Sequence, residues 1–403
     1  MKKLLSLVLA TTLVLSLVAC GQKAAAPAEA SAAGEKVIKI GVFEPQTGEN
    51  GGGGIQEVYG IRYANKIYNT ITINGEEYKI VLDEVDNKSD KTEAVRAAQK
   101  LISDRVSAVI GSYGSGVSIA AGENFRDAKI PAIGCSCTNP QVTNGNDFYF
   151  RTCFIDPFQG TVMSKYCKDH NYNKVAVITQ LGDDYSEGLG NFFVKACQSN
   201  GIEVVAQEKF QTNEQDFKAI LTNIKGANPQ FVFAPSSIAT APLILSQAKE
   251  LGLDCQFGGG DTWENGTIIT NAHGAAEGIV LTTFYEANPA TAVGEEAIFL
   301  NGNGNGETAT GFSNYLVNVE KQPPEIPAVS ALGYDAYLAA YKAIEAAQST
   351  DGSAIREALT KLVYTGVTGE ISFDEIGDAK KGAAYIKEVE SGKFAFKEIV
   401  NMN

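Results

Sequence analysis

The chain is poor in histidine, with two in 403 residues, His170 and His273. That leaves no room for a His-rich metal site or a broad His-based catalytic apparatus. Basic charge is also scarce: 33 Lys+Arg stand against 47 Asp+Glu, a net charge of −14. No basic block occurs, which argues against nucleic acid, whose phosphates call for clustered Lys and Arg. GxGxxG and Walker A spacings are absent, which argues against a nucleotide enzyme. The segment Gly114-Ser115-Gly116 comes nearest to a nucleophile elbow, but position 113 is Tyr where the GxSxG spacing needs glycine. Beyond the extreme N-terminus there is no apolar run of about 18 residues, which excludes a polytopic membrane protein. The expectation is a protein with no catalytic residues, no cofactor, no metal site and no nucleic-acid partner.

What is present starts at the N-terminus. Lys2-Lys3 precedes an uncharged run over 4–19, which suits a signal-peptide core better than a span of about 20 apolar residues. The run ends in Leu17-Val18-Ala19-Cys20-Gly21, similar to the bacterial lipobox, in which the cysteine is lipidated and becomes the first residue. Residues 22–35 are rich in Ala, Gly, Ser and Pro and read as a flexible tether. The expectation is therefore a signal peptide over 1–19 and a lipidated Cys20 with its tether over 20–36. Such a chain would sit on the extracytoplasmic face of the cell membrane.

Six further cysteines follow, at 135, 137, 153, 167, 197 and 255. An even count in an exported chain invites disulfides, but the spacing leaves buried free thiols, one disulfide or a metal open. Cys135-Ser-Cys137 is too tight for an ordinary pair, and no CxxC or nearby His supports a metal.

The body alternates strand and helix. Strands are expected over 37–43, 78–82, 107–110 and 130–133, with helices over 55–68, 90–103 and 117–127 between them. The glycine-rich stretch 48–54 reads as a loop, and Asp90 with Glu93 as a capping box. The rhythm restarts near Asp156, with strands over 174–179, 202–205, 231–234, 255–257 and 279–282 and helices between. This order implies two doubly wound α/β lobes with parallel sheets. Two helices over 329–347 and 354–362 would return to the first lobe, and a β tail over 370–396 to the second. The expected first lobe is 37–155 plus 285–362, the second 156–284 plus 363–403, with three crossings forming a hinge.

Loops at strand ends carry the candidate chemistry, since ligands of open α/β sheets bind there. After 109–111 comes Ser112-Tyr-Gly-Ser115-Gly116, a place where helix N–H groups can face an anion. Ser115 is either a plain N-cap or a ligand hydroxyl. Ser136 and Thr138 follow the next strand with short side chains. Tyr185 follows the first strand of the second lobe, either as an aromatic wall or on the surface behind an Asx-type cap. Asp261 follows another, and either pairs with a ligand ammonium or forms a capping box with Glu264. Amides and hydroxyls on one side, with a carboxylate and an aromatic on the other, match the polarity of a zwitterionic amino acid.

At this point the chain resembles the type I periplasmic-binding-protein family, in particular the branched-chain (Leu/Ile/Val) amino-acid receptors of ABC transporters. The segments that carry the resemblance are Gly41-Val-Phe-Glu-Pro-Gln-Thr-Gly48, Val109-Ile-Gly111 through Ser115-Gly116, and Ile130-Pro131 through Thr138-Asn-Pro140. Tyr149-Phe-Arg151 with Asp156 and Gln159-Gly160, Asp184-Tyr185-Ser-Glu-Gly188, and Gly366-Val-Thr-Gly-Glu-Ile-Ser-Phe373 complete it. The resemblance implies that Ser115 and Thr138 hold a ligand carboxylate. It implies backbone contacts from Ser136, a cleft wall from Tyr185 and an ammonium grip from Asp261. It also implies a monomer that delivers its ligand to a permease and ATPase. A sensor that passes a signal to a membrane receptor would share this fold and site. Two departures stand out: Gly53 and Ser237 fall where leucine binders of the family place aromatics, and Asp261 is one methylene shorter than the usual Glu. The side-chain pocket is thus expected to be larger or more polar than one built for leucine.

Overall fold

The structure, a computed structural model, describes residues 36–401. The expected signal peptide, Cys20 and most of the tether lie outside them. In the first part of the chain β1 (Lys36–Glu44), α1 (Gly51–Ile67), β2 (Thr70–Ile73), β3 (Glu76–Asp86) and α2 (Lys91–Ser103) lead to β4 (Ala108–Ile110), α3 (Ser115–Asp127), β5 (Ala132–Gly134) and β6 (Tyr149–Arg151). They build a six-stranded sheet of order β2-β3-β1-β4-β5-β6. It is parallel except for the β2–β3 hairpin.

The second part runs through α4 (Asp156–Asp169), β7 (Lys174–Gln180), α5 (Asp184–Ser199), β8 (Glu203–Phe210), α6 (Lys218–Ala227) and β9 (Phe231–Phe233). It continues with α7 (Ala241–Glu250), β10 (Gln256–Gly259), α8 (Gly266–Asn271) and β11 (Val280–Thr283). Helices α9 (Gly294–Asn301), α10 (Phe312–Tyr315), α11 (Ala328–Ala347) and α12 (Gly352–Leu359) come next, then strands β12 (Val363–Gly366), β13 (Gly369–Ser372), β14 (Ala383–Glu390) and β15 (Lys393–Asn401). The second sheet has the order β15-β14-β11-β10-β9-β7-β8. Strands β7 to β11 are parallel, and β14 and β15 add antiparallel at one edge. Strands β12 and β13 pair only with each other. The architecture is the expected α/β one, with two mainly parallel sheets.

Helix α1 shows how sequence and packing combine. Residues 48–54 read as a loop, yet the helix begins at Gly51. Glycine disfavours a helix interior by about 1 kcal/mol, so tertiary packing overrides propensity here. Val58, Ile61 and Ala64 are fully buried along α1. Each large side chain contributes about 1.5–3 kcal/mol on burial. Gly60 lets α11 come close: a Cβ there would stand 1.9 Å from the carbonyl oxygen of Ser330. Helix α2 starts as expected, with the Asp90 side chain accepting from the N–H groups of Thr92 (2.8 Å) and Glu93 (2.9 Å). Glu93 does not return the bond and instead binds Lys88 and Arg96, so only half of a capping box forms. All six cysteines from 135 onward are unpaired thiols, and only Cys255 is partly exposed. No helix among the described residues is long and apolar enough to cross a membrane.

Strand order fixes where a site can form. β1 lies between β3 and β4, and β7 between β8 and β9, so the winding reverses beside each. Crevices open at the carboxyl ends of strands at such points. The loops after β4, β5, β7 and β10 all lie at these ends.

Candidate functional site

In the loop after β4, Gly114 is the N-cap of α3 and Ser115 is its first helical residue. This corrects the reading of Ser115 as the cap. Its Oγ is buried and accepts the N–H of Asn139 at 3.1 Å, tying the β4 loop to the β5 loop. In the β5 loop, Ser136 does more than offer backbone: its hydroxyl donates to Glu57 Oε1 at 2.5 Å. Thr138 is fully buried, and its Oγ1 has no hydrogen-bond partner.

In the other sheet, Tyr185 is buried and not on the surface. Asp183 is the cap of α5, accepting the N–H of Ser186 at 2.9 Å, which leaves Tyr185 turned inward. The Tyr185 hydroxyl donates to Asp261 Oδ1 at 2.9 Å, and Gln159 Nε2 donates to the same oxygen at 2.8 Å. Asp261 opens a short 3-10 turn, Asp261–Trp263, and makes no capping bond. The capping-box alternative fails because Asn265 caps α8 through the N–H of Thr267, while Glu264 turns to Lys387 Nζ at 2.5 Å and to Thr283. Burial pushes the Asp261 carboxyl up to about 6, opposed by the Gln159 and Tyr185 hydrogen bonds. It thus stays mainly ionised at neutral pH without a cationic partner, as an acid waiting for an ammonium must.

The two sides meet. Asn139 Nδ2 donates to the carbonyl of Asp184 at 2.6 Å, and Lys91 Nζ reaches Asp184 Oδ2 at 2.7 Å. Asn265 Nδ2 donates to Gln56 Oε1 at 3.3 Å, and the N–H of Ile238 to Asn50 Oδ1 at 3.2 Å. Thus Ser115, Ser136 and Thr138 gather at one rim, Tyr185 and Asp261 at the other, and these bonds span the gap.

Four further side chains around the candidate site were not singled out from the sequence. The first is Tyr113, whose ring lies against Gly53: a Cβ on Gly53 would sit 2.3 Å from Tyr113 Cζ. An aromatic ring from the β4 loop thus lies beside position 53. Ser237, the other position where an aromatic was expected, bonds Thr240 and brings no aromatic. The second and third are Glu44 and Glu57, both fully buried. Glu44 Oε2 accepts the Tyr113 N–H at 2.7 Å and so holds that residue in place. Burial pushes Glu44 up to about 8 and Glu57 well above the carboxylate range, Glu57 being raised further by its neighbour Glu44. Together with Cys135 they place ligand atoms within 4.8 Å of one another, the one such group among the described residues. Desolvation favours the neutral form of all three, the form least suited to a metal.

The fourth is Arg151, quoted above only as part of a resemblance. Its buried guanidinium meets Asp378 at 2.6 Å and donates to the carbonyls of Cys137 (2.8 Å) and Asn139 (2.6 Å). It therefore holds the loop that presents Ser136 and Thr138. A glutamate on an apolar helix face and an arginine ending a short strand were the available signals. Ser136, the hydroxyl partner of Glu57, and Asp378, the acid paired with Arg151, lie 79 and 227 positions away.

Comparison with known proteins bears on this geometry. The sequence pattern of a periplasmic binding protein family matches residues 37–393. A leucine-, isoleucine-, valine-, threonine- and alanine-binding protein of Pseudomonas aeruginosa is 28% identical over 351 residues, covering 85% of this chain and 87% of the relative. A Leu/Ile/Val-binding protein homolog of Brucella suis is 31% identical over 347 residues, covering 85% and 88%. Among solved structures, a leucine binding protein of Thermotoga maritima superposes with a TM-score of 0.81 at 32% identity, covering 90% of this chain and 99% of that one. A branched-chain amino acid transporter substrate binding protein of Streptococcus pneumoniae, in complex with isoleucine, gives 0.79 at 28% identity, covering 91% and 100%.

Proposed function

The chain belongs to the periplasmic binding protein family, and from that premise we propose that it is the extracytoplasmic solute receptor of an ABC importer. Its ligand is an amino acid, branched-chain or related, held between the two sheets and handed to a membrane permease with its ATPase. The observation that carries this reading is the buried Asp261 carboxylate, held by Gln159 and Tyr185 and facing no cation. It is placed to grip an ammonium, while the start of α3 with Ser115 and Thr138 takes the carboxylate. The relatives' names, which include leucine and isoleucine, support an amino-acid ligand. The lobes would be 37–155 plus 285–362 and 156–284 plus 363–403, and closing about their crossings would bring Tyr185 and Asp261 onto a ligand docked at Ser115, Ser136 and Thr138. We place Cys20 as the lipidated anchor after a signal peptide over 1–19, and the protein as a monomer on the outer face of the membrane. No chemical step is required of it.

The test is a thermal-shift screen of the full chain against the amino acids, with Asp261→Ala and Thr138→Ala alongside. A ligand at about 100 times its Kd stabilises a fold by about 2.7 kcal/mol. A shift in the wild type that both variants lose supports the reading. No shift with any amino acid would remove it.

A further inference from the structure

Asp261 can grip an ammonium only if its turn is fixed, and that turn is short, Asp261–Trp263. Thr262 Oγ1 donates to the Ser236 carbonyl at 2.9 Å and Trp263 Nε1 to Ser236 Oγ at 3.3 Å, so the turn rests on the loop after β9. Its end is closed by Glu264, whose N–H returns to the Asp261 carbonyl at 3.0 Å. The Glu264 carboxylate is buried, accepts from Thr283 at the end of β11, and meets Lys387 Nζ at 2.5 Å. Gln159, one of the two donors to Asp261, also reaches the neighbouring Thr282 hydroxyl at 2.6 Å. Both the Asp261 carboxylate and its turn are thus tied to the end of β11.

Lys387 comes from β14, antiparallel to β11, and lies opposite Leu281. Its side chain is 8% exposed and also meets Glu286 Oε2 at 2.8 Å. Neighbours in a strand point to opposite faces, yet Ile386 and Lys387 are both buried. The β14–β15 register shifts between these two residues, an irregularity of the kind that re-aims a side chain. Burial works against the Lys387 charge, but Glu264 and Glu286 outweigh it and the ammonium stays protonated. The three residues border a cavity of about 640 Å³ that Asp261 does not line. Lys387 therefore bears on the turn from behind, through Glu264. A cation set directly on Asp261 would compete with the ligand's ammonium. Set on Glu264, three residues on, it fixes the turn and leaves the Asp261 charge free. Apolar residues of the same volume often stabilise a fold as well as a buried ion pair does, so the distinctive product of this one is geometry.

We propose that Lys387 is the positioning residue of the ammonium grip: through Glu264 it holds the Asp261 turn at the end of β11, where Asp261 meets a ligand amino group. This rests on the amino-acid reading above and deepens it.

The test uses the full chain, purified in detergent, as wild type, Lys387→Met and Lys387→Arg. The first readout needs no ligand. Trp263, the single tryptophan, is fully buried in the same turn. Acrylamide should quench its fluorescence about twofold more strongly in folded Lys387→Met than in wild type, because the turn opens locally. The second readout is a double-mutant cycle in amino-acid affinity, measured by calorimetry. Lys387→Met should weaken the tightest-binding amino acid about tenfold where Asp261 is present and less than about threefold in Asp261→Asn, where the grip is already lost. Lys387→Arg keeps the charge and should recover most of the affinity. A structural role alone would weaken binding by one factor in both backgrounds. Should Lys387→Met not fold, Glu264→Met, which leaves Lys387 paired with Glu286, gives both readouts. Unchanged quenching in a folded variant, or equal losses in the two backgrounds, overturns the inference while the amino-acid reading stands. No binding of any amino acid by the wild type overturns both.

Discussion

The Tyr113 ring occupies the space a side chain at Gly53 would need, with Cζ 2.3 Å from where the Cβ would stand. The first turn of α1 and the β4 loop are thus fitted to each other by the absence of one carbon. Gly53→Ala forces the ring out of its seat, because the contact is with ring atoms and not with a flexible tip. Overpacking of this kind costs about 1–3 kcal/mol, partly offset by the better helix propensity of alanine. The ring shares its loop with Ser115, so ligand affinity should fall at least tenfold while the melting temperature falls only slightly. A Trp263 fluorescence titration checks this, and unchanged affinity would place Tyr113 away from the ligand.

Much of this was readable from the sequence, and the reason differs by feature. Parallel strands such as 174–179 and 231–234 are continuous apolar runs between turn signals, so their period and length are local properties. The loops at strand ends followed from strand order alone. The helix start at Gly51 was hidden because four glycines read as a loop, and only packing against Tyr113, Pro45 and α11 makes it helical. The roles of Ser115 and Glu264 were decided by partners at 139 and 387, beyond the reach of any local pattern. Glu57 sits on the inner face of α1, where a sequence window shows one charge among apolar residues and nothing of Ser136.

Arg151 should prove a stability residue that acts through the site. Its guanidinium is fully buried, bonded to Asp378, two carbonyls and Thr143. Arg151→Met leaves the Asp378 carboxylate buried without its cation, held only by the Thr143 hydroxyl, and takes a donor from the Cys137 and Asn139 carbonyls. Breaking a buried pair from one side costs about 3–5 kcal/mol. Denaturant unfolding should show a loss of that size, and Asp378→Asn added to it should recover part. A loss below about 1 kcal/mol would mean that solvent reaches the pair.

Asp156 makes unliganded stability depend on pH. Burial pushes its carboxyl up to about 8 from the ordinary 3.8, so the folded state holds a proton that the unfolded chain releases. Its contribution is complete below about 4 and is lost as pH rises toward 8. The melting temperature of the unliganded protein should therefore decline between pH 5 and 8, and Asp156→Asn should flatten the decline. An unaltered slope in that variant would assign it to Glu44, which burial raises over the same range.

Lys91 gives the contrasting case of a bond across the gap that should matter little. Its ammonium meets Asp184 at 2.7 Å, but both side chains are well exposed, at 52% and 37%. Exposed pairs contribute about 0–1 kcal/mol and weaken with salt. Lys91→Met should weaken ligand binding less than about fivefold, a margin that disappears in high salt.

Asp261 should make binding depend on pH in the opposite sense to stability. Only its ionised form attracts an ammonium, and burial raises it to about 6 while the Tyr185 and Gln159 hydrogen bonds pull it back. Affinity for an amino acid should be flat above about pH 7 and fall as pH drops through about 6, approaching tenfold per unit below that. Tyr185→Phe removes one of the two donors that favour the carboxylate, so the midpoint should move upward, and affinity at pH 7 should fall with it. A structural loss alone would lower affinity equally at every pH and leave the midpoint in place. Titrations at half-unit steps from pH 5 to 8, on wild type and Tyr185→Phe, separate the two. An affinity that holds constant through pH 5 in the wild type would mean that the ammonium is gripped by something other than Asp261.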